Sequence, residues 1–102
     1  MKRFQWIHAA AAAIAAATDA ARIAPASPAP LEQLASIYSD LGDGARLTPV
    51  ADELINRFPA RHEGRYYRAA ALFLAGRAAD AERELHTLLS ATPQHASGHN
   101  LL

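Results

Sequence analysis

Two stretches decide the fold: residues 42–59, GDGARLTPVADELINRFP, and residues 76–93, GRAADAERELHTLLSATP. Each opens on a glycine and closes on a proline, and the two lie 34 residues apart. Both carry a doublet of large aliphatic residues, Leu54-Ile55 in one and Leu88-Leu89 in the other. At the same offset Ala35 meets Ala69 and Tyr38 meets Leu72 in the segments before them. Self-similarity at a fixed period of this size marks one repeated supersecondary unit. Glycine readily takes the left-handed conformation that ends a helix, and proline cannot continue one. Between these stops the apolar residues recur at helical intervals of three and four: Leu31, Leu34, Ile37, Tyr38 and Leu41, then Val50, Leu54, Ile55 and Phe58. The chain is therefore predicted to be all-α, in antiparallel helix–turn–helix units.

Composition agrees. Alanine dominates the 51% of hydrophobic residues, and aromatics are only 7%. Alanine is the best helix former and a poor strand former, so helices are expected to approach closely through small side chains. A length of 102 residues fits one small domain. Ten Lys+Arg balance ten Asp+Glu, so no net charge draws the chain onto nucleic acid or an anionic membrane. The absence of cysteine excludes disulfides, thiolate metal sites and cysteine nucleophiles.

Three regions follow: an Ala-rich segment over 1–24, a Pro/Ala linker over 25–30, and a repeat domain over 31–102. The units run over about 28–61 and 62–95, and 96–102 reads as the opening of a third. Pro49 lies where an unbroken second helix would lose about 3 kcal/mol. That helix is therefore predicted to start late, at Thr48-Pro49, after a long turn from Gly42 to Leu47. The next two helices are predicted from Glu63 or Gly64 to Ala75 and from Ala79 to Ser90.

The first segment has two readings. Lys2 and Arg3, the charge-free run from Phe4 to Thr18 and the tripeptide Ala15-Ala16-Ala17 describe a secretory signal peptide, placing the protein outside the cytoplasm. The run is too short to span a bilayer, which takes about 20 apolar residues. In the other reading it is a docked helix of a cytoplasmic protein, with Phe4, Ile7, Ala11 and Ile14 on one face. Pro25 also stands one period before Pro59, as if the segment were a degenerate preceding helix.

A 34-residue helix–turn–helix period with Leu31, Leu34, Ala35, Tyr38, Gly42 and Pro59, repeated as Ala69, Leu72, Gly76, Ala81, Leu85 and Pro93, resembles the tetratricopeptide repeat. The resemblance implies hairpins stacked into a superhelix. It also implies a concave groove lined by the first helix of each unit. Carried over, that groove presents Glu32, Ser36, Ser39 and Asp40, then Glu63, Tyr66, Ala70, Phe73 and Leu74. An apolar-aromatic patch with an acidic rim suits a peptide or helix of a protein partner. The lysine and asparagine clamp of the chaperone-binding members is missing, with Glu32, Ser36 and Tyr67 in its place. Departures from the pattern are Leu47, bulky at a small position, and Arg65 and Arg68, which suggest a rotated or shifted third helix.

Other chemistry is sparse. Arg61, Arg65 and Arg68, with Arg57 and aromatic neighbours, form a candidate anion-binding group, although Glu53 and Glu63 point to a salt-bridged face. His95 and His99 stand four apart, but no carboxylate is near, so no metal or other cofactor is expected. Serines lie on helices without a strained nucleophile turn, and no Gly-rich phosphate loop occurs. The expectation is a non-catalytic scaffold of bacterial type that binds a protein partner in its groove, or self-associates through open repeat ends. Neither nucleic acid nor an integral membrane segment is expected. The alternative is an accessory repeat segment of a longer chain, such as a bacterial transferase or envelope assembly factor. Intact mass of protein from its native cells separates the two readings of the first segment. Loss of roughly 17 to 20 residues marks export, and retention marks a docked helix.

Overall fold

A computed structural model describes the backbone of residues 2–91 and the side chains of 9–90. Five helices follow one another: α1 (Lys2–Ile23), α2 (Ala29–Leu41), α3 (Gly44–Arg57), α4 (Glu63–Leu74) and α5 (Ala78–Ala91). The described residues contain no strand. The chain is thus all-helical, with each helix packed on the next and α2 also touching α4. The predicted third unit over 96–102, with His95 and His99, lies outside the described residues.

The 34-residue period is written into the backbone. Gly42 and Gly76 have φ of 70° and 79°, the positive values found among the described residues. After each, the chain closes a helix in the same way. Asp43 N–H donates to the Tyr38 carbonyl and Arg77 N–H to that of Leu72, both at 2.9 Å. These are the long-range bonds of a glycine-closed helix end. The buried residues repeat too: Ala35 and Ala69, Leu47 and Ala81, Ala51 and Leu85, Leu54 and Leu88. The main core joins α1 to α4 through Ala17, Leu31, Leu34, Leu47, Leu54 and Ala70, and a smaller one holds Ala69, Leu85 and Leu88.

The same bonds recur one period earlier. Ala24 N–H reaches the Ala20 carbonyl at 2.9 Å, as Phe58 N–H reaches Leu54. Ser27 N–H bonds to Ala24 at 3.1 Å, as Arg61 N–H bonds to Phe58 at 3.0 Å. The end of α1 therefore holds the place that the ends of α3 and α5 hold in their units. Its buried face is Ala17 with Ile14 and Ala21 beside it. Ala11, expected on that face, is exposed, because the stripe runs through 14, 17 and 21 rather than 11 and 14. Phe4 and Ile7 lie outside the described side chains.

One predicted helix start is corrected. α3 does not begin at Thr48-Pro49 but at Gly44, with Pro49 inside it. Asp43 caps the helix by accepting a bond from the Arg46 N–H at 3.1 Å, so the chain re-enters a helix directly after the Gly42 turn. The missing Pro49 N–H leaves the carbonyl of Ala45 without its helical donor, and both residues are exposed on the solvent side. In α4 the buried face is carried by Ala69, Ala70 and Ala71, whereas α2 buries Leu31, Leu34 and Ala35. Only Ala69 and Ala35, each at 0% exposure, coincide one period apart, while half-buried Arg65 and exposed Arg68 stand where α2 has Leu31 and Leu34.

Close approach is tightest at Gly64. A Cβ there would stand 3.0 Å from the backbone nitrogen of Ile55 and 3.1 Å from Leu54 Cβ. Gly64→Ala is expected to destabilise the fold by about 1–3 kcal/mol through overpacking. At Gly42 nothing lies within 4 Å, so Gly42→Ala should cost only the left-handed backbone penalty of about 1–2 kcal/mol. Loss of the cap in Asp43→Ala should remove about 1 kcal/mol. Urea unfolding of the three variants checks all three values.

Candidate functional site

In a helix–turn–helix repeat, the first helices of successive units run in the same direction side by side. Here those helices are α2 and α4, which are in contact. On α2, Glu32, Ser36 and Ser39 are half-buried and Asp40 is exposed. At spacings of four, three and one they share a helix face. On α4, Glu63 and Tyr66 are half-buried, while Phe73 and Leu74 are 60% and 40% exposed, large values for such side chains. The structure thus places eight of the nine predicted groove residues at least partly at the surface. Ala70 is the exception. It is buried in the main core, which gathers residues of α1, α2, α3 and α4.

One end of this face is closed by polar contacts. Arg61 donates from Nε and Nη2 to the two carboxylate oxygens of Glu32, at 2.7 and 3.0 Å, a fork-to-fork pair. It also lies 3.7 Å from the carboxylate of Glu63. The bond ties the loop before α4 to the first turn of α2. Further along, the Ser36 hydroxyl hydrogen-bonds the Tyr67 phenol, whose ring meets that of Tyr66 edge to face at 5.1 Å. Tyr67 is outside the nine groove residues carried over, although the resemblance sets it with Glu32 and Ser36 where the clamp of the chaperone-binding members would stand. Towards the C-terminal ends of the two helices, Asp40 on α2 and Phe73 and Leu74 on α4 are exposed. Leu74 rests on the first turn of α3, where a Cβ added to Gly44 would stand 3.1 Å from Leu74 Cβ. A shallow hollow of about 230 Å³ borders Asp40, between α1 and α2.

The predicted anion-binding group of Arg61, Arg65 and Arg68 does not assemble. Arg61 is held by Glu32, and Arg68 lies 3.5 Å from Glu84 on α5. Arg57 pairs with Glu53 at 3.3 Å, and Arg65 is half-buried. Arg57, Arg61 and Arg68 thus each face a carboxylate of a neighbouring turn or helix. Among the described residues no three His, Asp or Glu side chains converge as metal ligands, and no helix is long and apolar enough to cross a membrane.

Burial pushes the Tyr67 phenol above its ordinary 10.0, and the Ser36 hydrogen bond offsets part of that rise. A phenol raised in the folded state stabilises the fold while it stays neutral. The contribution is full below pH about 10, the unfolded value, and is lost as pH rises through the folded one. Stability measured by urea unfolding is expected to fall across that alkaline window, and Tyr67→Phe should flatten the fall. Comparison with known proteins finds no family model, no curated protein and no solved structure that this chain matches.

Proposed function

We propose that this protein is a non-catalytic helical-repeat adaptor, tetratricopeptide-like in plan, that binds a peptide or helix of a protein partner along α2 and α4. The observation that carries the reading is the open end of that face. Phe73 is 60% exposed and its neighbour in sequence Leu74 40%, on helices whose other apolar side chains are largely buried. An exposed aromatic on a rigid helix offers a large contact area at little conformational cost, as interface anchors do. The polar contacts of Glu32, Arg61, Ser36 and Tyr67 support the reading by holding α2 and α4 in one arrangement before any partner arrives. A preformed surface loses less entropy on binding.

A photo-crosslinking residue at position 73 tests this in cells, with one at exposed Ala45 as the control. Position 73 is expected to capture a defined protein and position 45 to capture none. With the partner in hand, Phe73→Ser should weaken binding by about tenfold or more, as loss of an aromatic anchor does. The fold should keep its stability within about 0.5 kcal/mol, as for other exposed substitutions. Finding neither a protein partner nor self-association at micromolar concentration would overturn the proposal.

A further inference from the structure

Comparing the two units position by position singles out a surface that hairpin packing does not demand. Leu34 and Val50 in the first unit correspond to Arg68 and Glu84 in the second. The aliphatic pair belongs to the main core and its margin. The charged pair stands at the surface, Arg68 Nε lying 3.5 Å from Glu84. Asp43 and Arg46, 3.6 Å apart, correspond to Arg77 and Asp80, so that ion pair returns with its polarity reversed. Pro49 corresponds to Arg83, whose Nη2 also contacts Asp80. One backbone frame therefore carries Leu34, Asp43 and Pro49 in one unit and three arginines in the other.

The arginines converge. Arg68, Arg77 and Arg83, with Asp80, Glu84 and half-buried Leu72, line a cleft of about 390 Å³ between α4 and α5. Three guanidinium groups face two carboxylates there, which leaves one positive charge in excess. Asp80 serves two of the cations at once. Arg77 brings Nε and Nη2 to one oxygen, at 2.7 and 2.6 Å, and Arg83 contacts the other oxygen. A guanidinium carries five N–H donors in a planar fork, so both arginines keep donors that Asp80 does not use. Asp80 also sits in the first turn of α5, where backbone N–H groups add partial positive charge.

We propose that this cleft binds a small oxyanion, the phosphate or carboxylate group of a ligand, through Arg77 and Arg83 with Arg68 on the opposite wall. The site shares no residue with the Asp40, Phe73 and Leu74 surface and stands or falls independently of it. Arginine forks match both oxyanions in geometry. The ligand oxyanion competes with Asp80 for its two cations, so binding is expected to be weak for the free ion.

Titration with inorganic phosphate, and separately with acetate, at constant ionic strength and followed by ¹H–¹⁵N NMR, tests the site. Saturable shifts are expected at the amides of residues 77–80 and the Nε groups of Arg77 and Arg83. Stronger binding of phosphate or of acetate assigns the oxyanion class, and either supports the site. Replacing both exposed arginines, Arg77→Gln with Arg83→Gln, should weaken binding by about tenfold or more, as loss of charge-assisted bonds does, with the circular dichroism unchanged. Asp80→Asn removes the internal competitor and should tighten binding, a gain that misfolding cannot produce. Shifts that fail to saturate, shifts that survive in the double variant, or binding in Asp80→Asn no tighter than in the wild type would overturn the proposal.

Discussion

The architecture depends on how closely its helices approach. At Gly64 the start of α4 lies so near α3 that a single added carbon would stand 3.0 Å from backbone nitrogen. Fully buried Ala35, Ala51 and Ala69 mark the other places where only a small side chain fits. Interiors of proteins are packed to the density of organic crystals, so at such points a methyl group more or less is felt. Because the small residues bring the backbones together, the larger ones beside them, Leu31, Leu34, Leu47 and Leu54, are fully enclosed despite the modest size of the chain. The result is a core built from short reach and many contacts, with aromatic side chains at its edge, as with Tyr38, Phe58 and Tyr67.

Much of this was legible because the decisive residues have backbone reasons to be where they are. Gly42 and Gly76 must take positive φ, and that demand shows in sequence without knowledge of the fold. The period, the helix order and the equivalent alanines followed from it. The start of α3 was not legible in the same way. The interior cost of Pro49 argued for a late start, whereas the Asp43 cap and the solvent exposure of Pro49 and Ala45 decided for an early one. A propensity penalty was weighed there without its surroundings.

The surface was harder to read than the core. Phe73 and Leu74 are exposed, yet Ala70 on the same helix is buried in the main core. Spacing along one helix cannot say which of its neighbours lies overhead. Arginines close in sequence were grouped as one site, but their partners, Glu32, Glu53 and Glu84, come from three different helices. The arginines of the α4–α5 cleft have no counterpart in the first unit, where Asp43 and Pro49 hold the places of Arg77 and Arg83. The first segment admits a signal-peptide reading and a docked-helix reading, and the stripe expected in the latter lies one turn before the buried one at Ile14, Ala17 and Ala21, because alanine on every side leaves no contrast from which to find a face.

Helices that touch only their near neighbours in the chain also shape how the protein reaches its native state. The contacts α1–α2, α2–α3, α3–α4 and α4–α5 are made between consecutive elements, and α2–α4 skips only one. Little of the chain must be looped before such contacts form, and topologies of this kind fold quickly. The central α2–α3–α4 block holds most of the main core, so it is the natural nucleus from which order spreads in both directions. The outer helices then join as additions whose local unfolding need not cost the whole structure. Tolerance of local unfolding would rise towards α1 and α5, and a surface placed on α2 and α4 would sit on the part of the described fold that is last to lose its shape.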